Sequence, residues 1–99
     1  KVVRLDIANG VFPPERTDMR LQWQTRLPLL LKELQKAPSV LRLAYMAETE
    51  VPELVDQRIE AVKAEISRRW AEAGNPYELT IETEVFWRTG NAPARSHRK

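Results

Sequence analysis

Cysteine is absent from the 99 residues, histidine occurs once and glycine three times. Without cysteine there is no disulfide, no thiolate nucleophile and no cysteine-ligated zinc site. The single histidine, His97, lies close to the chain's end, so neither a Ser-His-Asp triad nor a histidine metal site is expected. Three scattered glycines make no phosphate-cradling loop. Long apolar runs are missing too. Leu27–Leu31 is the longest, interrupted by Pro28, and far short of the roughly 20 residues of a membrane span. The chain opens on Lys1-Val2-Val3 and is expected to be a domain of a longer protein.

Acid is missing from one region. Of the 16 basic residues, Arg88, Arg95, Arg98 and Lys99 fall in the last twelve positions, which hold no Asp or Glu; the other 12 stand against 14 acids. The net charge of +2 is therefore a property of the end, and residues 88–99 are expected to form a solvated, disordered basic tail. The remainder, with 42% apolar and 30% charged residues in the whole chain, has the composition of one small globular domain.

Val2–Ile7 is β-branched and followed by Asn9-Gly10, a strand ending in a turn. Phe12-Pro13-Pro14 is a stiff connector, and Thr17 or Asp18 is a candidate helix cap. From Met19 to Lys36 the pattern is helical, with Leu27, Leu30, Leu31 and Leu34 as the apolar stripe. Pro28 inside it costs about 3 kcal/mol in a helix interior, so either the helix kinks near Thr25 or a second helix starts with Pro28 in its first turn. Val40–Met46 reads as a strand with Leu41, Leu43 and Tyr45 on one side and Arg42 on the other. Pro52 opens a helix whose stripe is Val55, Ile59, Val62 and Ile66, and Gly74 closes it. Tyr77–Trp87 alternates, with Tyr77, Leu79, Ile81, Val85 and Trp87 on one parity and Glu78, Glu82 and Glu84 on the other.

The glutamates are expected to form a wet ridge that discourages strand pairing, not a metal site. That ridge also argues against an RNA-binding sheet, which wants basic and aromatic residues on its open face. Trp70 and Trp87 continue apolar stripes and belong to the core or its edge, whereas Trp23 is a candidate contact with a neighbouring domain. Arg58, beside the helix stripe, has two readings: an ion pair with Glu78, Glu82 or Glu84 or with solvent-side acids, or an anion-binding group.

The stretch Leu54-Val55-Asp56-Gln57-Arg58-Ile59-Glu60-Ala61-Val62 resembles the Leu-Ser-x-x-Arg-Ala-x-x-Val helix of the OmpA-like C-terminal family, whose members hold peptidoglycan non-covalently. Leu54, Arg58 and Val62 match; Val55 and Ile59 stand for the serine and alanine. LQKAPSVLRLAY (34–45) follows the family's helix end, proline and strand, and the resemblance extends over residues 1–87. In the family an aspartate after the second strand and the helix arginine grip the diaminopimelate of the peptide stem. Here Ala47 falls at the aspartate, and Glu48 and Glu50 are the acids of the shorter loop that follows.

The element order β-α-β-α-β, read with this resemblance, implies an α+β fold: a two-layer sandwich with a mixed sheet and two helices on one face. The expected function is a non-catalytic binding or anchoring module of a bacterial periplasmic or surface protein. It would associate with the peptidoglycan stem through Arg58, with Glu48 and Glu50, or with another envelope protein. No cofactor, metal, catalytic residue, nucleic acid or membrane span is expected. A degenerate copy serving protein–protein assembly is the alternative, and a small RNA-binding α/β domain the last.

Overall fold

The computed structural model describes residues 1–88; the expected tail beyond Arg88, with His97, lies outside the described residues. The elements are β1 (Val2–Ala8), a single 3₁₀ turn (Asn9–Val11), α1 (Leu21–Gln24), α2 (Leu27–Leu34), β2 (Ser39–Ala47), α3 (Pro52–Glu72) and β3 (Leu79–Trp87). Together they form a small α+β domain around one three-stranded sheet in the order β1-β2-β3. Both ladders are parallel, with Leu5 opposite Leu43 and Leu43 opposite Thr83. The expected mixed sheet is thus corrected to an all-parallel one. The reason lies in the connections: each pair of neighbouring strands is joined by a helical crossover long enough to return the chain to the end of the sheet where the strands begin.

Right-handed crossovers in this order bring both connections to the same face, and burial agrees. From the strands the core takes Ile7, Leu41, Leu43, Tyr45 and Ala47, with Val3, Leu5, Leu79, Ile81, Val85 and Trp87 half-buried around them. All are odd-numbered, as a period of two requires. They meet Leu27, Leu31 and Leu34 of α2 and Val55, Ile59, Val62, Ile66 and Trp70 of α3. The even positions form the other face, in rows Val2–Val40–Thr80, Arg4–Arg42–Glu82, Asp6–Ala44–Glu84 and Ala8–Met46–Phe86. Among the described residues no helix covers that face: Arg4, Asp6, Arg42, Glu82, Glu84 and Phe86 are exposed.

The two crossovers differ. Pro28 sits in the first turn of α2, where its missing N–H is harmless, and the chain breaks at Thr25-Arg26 into two short helices. The single kinked helix is therefore not the outcome. Neither Thr17 nor Asp18 caps α1; Arg20 holds that position without a side-chain cap, and Asp18 pairs with Arg16 instead (3.1 Å). α3, by contrast, is one helix of 21 residues with Pro52 at its start. It stops at Gly74, whose φ of +91° suits a residue without Cβ. The buried Trp70 ties its end to the next strand, donating Nε1–H to the Tyr77 carbonyl at 3.0 Å. β3 begins at Leu79, two residues after the expected start at Tyr77.

Candidate functional site

α3 carries its apolar stripe toward the sheet, and Arg58 rides one position before Ile59 on that buried side. Its side chain has no exposed surface at all. The guanidinium lies among the segments that leave the carboxyl ends of β1 and β2. Nε donates to the Arg16 carbonyl at 2.7 Å and Nη2 to the Pro13 carbonyl at 3.3 Å. Nη1 donates twice, to Asn9 Oδ1 at 2.7 Å and to the Tyr45 hydroxyl at 2.9 Å. The Phe12 ring covers the guanidinium face, 4.6 Å from its central carbon, and itself stacks on Tyr45 with centroids 6.3 Å apart. These acceptors are carbonyls and a hydroxyl, whose dipoles replace the water a buried cation loses. The flat five-donor fork of arginine is what allows one side chain to reach three points of the 9–16 segment and one of β2.

The expected ion pairs of Arg58 with the β3 glutamates are therefore corrected: Glu82 faces Arg42 at 3.3 Å on the other side of the sheet. Nor does Arg58 open to solvent beside the middle strand. It fastens the first crossover to the second.

The remaining candidates separate. Glu50 joins the cluster through Tyr45, whose hydroxyl donates to its Oε2 at 2.7 Å. Its other oxygen accepts the N–H groups of Glu48 (2.8 Å) and Thr49 (3.0 Å), which shapes the turn into α3. Partial burial pushes the Glu50 carboxyl up, but the Glu48 N–H, the Tyr45 hydroxyl and the Thr49 N–H outweigh it and hold the group below the usual carboxylate range. Burial, opposed by the Arg58 cation and aided by Glu50, pushes the Tyr45 phenol up to about 12, so it stays a neutral relay between cation and carboxylate. Glu48 points away, 3.6 Å from Arg88 on the surface. Ala47 is buried at the end of β2 and brings no acid to the cluster.

In the sequence Asn9, Phe12 and Tyr45 present themselves as turn, connector and strand core, and nothing local marks Asn9 or Phe12 as part of the cluster. One signal for Tyr45 was present: a tyrosine buried at a strand's end needs a partner for its hydroxyl. Among the described residues no group of three or more His, Asp or Glu is placed to hold a metal ion, and no helix is long and apolar enough to cross a membrane. A hollow of about 290 Å³ at the end of β1 is lined by Asp6, Ala8, Val11, Trp23 and Met46, and Arg58 is not part of its lining.

No family model matches the chain, and no curated protein or solved structure is significantly similar to it.

Proposed function

We propose that this domain is a non-catalytic assembly module that joins another protein through its incompletely covered parallel sheet. The observation that carries the reading is the internal use of Arg58: the residue with the chemistry for an anionic ligand gives its donors to Arg16, Pro13, Asn9 and Tyr45. Binding a stem-peptide carboxylate would require it to give up those acceptors, at about 1–3 kcal/mol for each one stranded. The sheet supports the same reading from the other side. Parallel sheets are stable when both faces are covered, and this one has a helical layer on one face only. The charges on the other face, Arg4 and Arg42 beside Asp6, Glu82 and Glu84, are mixed, which suits a protein surface better than an RNA backbone.

Peptidoglycan attachment through Arg58 with Glu48 and Glu50 is the second reading. It is favoured by the cluster's place beyond the carboxyl ends of parallel strands, where open α/β sheets bind ligands. Placement in a bacterial envelope, periplasmic or at the surface, rests on the OmpA-like resemblance of residues 54–62. Titration with a diaminopimelate-containing muropeptide separates the two. The assembly reading expects no saturable amide shifts across residues 47–58; saturable shifts there overturn it in favour of anchoring.

A further inference from the structure

β1 is an edge strand, and its outward main-chain groups can be assigned. Val40 N–H donates to the Lys1 carbonyl at 2.8 Å, so the odd residues of β1 turn their N–H and C=O groups toward β2. Val2, Arg4, Asp6 and Ala8 turn theirs outward. Among the described residues, none of the main-chain bonds outside the helices and sheet uses Val2, Arg4 or Asp6. Proteins usually blunt such an edge with proline, a bulge or repelling charge. β1 has no proline, and its register with β2 is unbroken from Val2 to Ala8. β3 differs, because antiparallel pairing of two copies about its middle would set Glu82 against Glu84.

One antiparallel register pairs the whole of β1 from Val2 to Ala8. Around a two-fold axis through Leu5, the outward even residues meet as hydrogen-bonded pairs: Val2 with Ala8 of the second copy, and Arg4, which within its own copy donates Nε–H to Asp6 at 2.6 Å, with the second copy's Asp6, so that the four charges of the junction form one alternating network. Leu5 then meets Leu5, and Val3 meets Ile7, on the helix side. Sliding by two residues opposes Arg4 to Arg4 or Asp6 to Asp6. Sliding by one misaligns the donors and acceptors. Backbone parity and charge thus select one register.

A second observation points to the same edge. The first crossover runs along β1: Lys1 pairs with Glu33 near one end, and Trp23 shares a hollow with Asp6 and Ala8 at the other. Val2, Leu21 and Leu29, exposed at 60%, 73% and 69%, are the most exposed large apolar residues among those described, and they belong to β1 and to the crossover that follows it.

We propose that the domain self-associates as a two-fold dimer in which the β1 edges join two sheets into one of six strands, with two reciprocal Arg4–Asp6 pairs across the junction. This rests on the assembly reading and extends it from the open face to the edge of the same sheet, with a second copy as the partner. The symmetric, closing geometry stops at two copies.

Sedimentation of the full chain over a range of concentrations tests it. A monomer–dimer equilibrium is expected. Arg4→Asp alone and Asp6→Arg alone each place like charges across the junction and weaken it by about tenfold or more. The double variant Arg4→Asp/Asp6→Arg restores the dimer. Arg4→Pro removes an outward N–H while leaving the β2 ladder intact, and gives a folded monomer by circular dichroism. A wild-type monomer up to about 1 mM, near the weak end of specific binding, overturns the dimer. So does a dimer indifferent to all three single changes. Either result leaves the assembly reading to the separate muropeptide titration.

Discussion

The two crossovers solve one problem in opposite ways. β2 to β3 is spanned by a single long helix with a proline at its start, a positive-φ glycine at its end and an unbroken apolar stripe. Its structure is local and repetitive. β1 to β2 is spanned by a 3₁₀ turn, an irregular stretch and two short helices. Such short helices gain little from their own hydrogen bonds. That segment's buried leucines pack on the sheet, and a side chain from the other crossover adds a polar fastening: Arg58 reaches Asn9, Pro13 and Arg16 at once. A connection poor in local order is fastened by one buried cation, whose donors are directed to groups within the domain.

The largest effect should come from removing this fastening. Arg58→Ala strands several buried acceptors and empties the space beneath Phe12, and is expected to cost about 3–5 kcal/mol. For a domain whose whole stability is of order 5–15 kcal/mol, that is severe. Hydrogen exchange in this variant distinguishes the two crossovers. Amides of α1 and α2 should lose protection before those of α3. Equal loss in both crossovers would show that Arg58 serves the whole core and not the first connection.

Tyr45→Phe should cost less, about 1–2 kcal/mol in urea unfolding, because only the hydroxyl between Arg58 and Glu50 is lost. It should also change the alkaline limb. The folded phenol is pushed up to about 12, so its contribution is complete below the ordinary value of 10.0 and lost as pH rises toward the folded value. The Tyr45→Phe variant should lack that loss, read as stability against pH.

Glu50→Gln is the smallest of the three. The Glu50 carboxyl is held below its ordinary value of 4.5, so its contribution is present above that pH and disappears as pH falls through the folded-state value. The stability gap between wild type and variant should be widest near neutrality and close on acidification. A gap independent of pH would show that the Glu48 and Thr49 amides hold the loop without the charge.

The legible parts of the fold were those with local causes. Period-two alternation revealed Val40–Met46 and the later part of Tyr77–Trp87, and period 3.6 revealed Val55, Ile59, Val62 and Ile66. Pro52 and Gly74 marked the ends of α3 by backbone chemistry alone. Pro28 left two outcomes open, because whether a helix kinks or restarts depends on what packs against it. The mixed sheet was an error of resemblance, since strand direction is set by where the crossovers return. The cluster was half legible: Arg58 stood out as an arginine beside an apolar stripe, but its acceptors lie 13 to 49 positions away.

From residue order alone follow the β-α-β-α-β sequence of elements, the apolar side of each strand and helix, and the terminal concentration of positive charge. These depend on periodicity, on the geometry of proline and glycine, and on counting. The parallel sheet, its uncovered face and the inward fate of Arg58 required the assembled molecule. Main-chain carbonyls have no identity in a sequence, so which of them will surround a guanidinium is settled where distant segments meet.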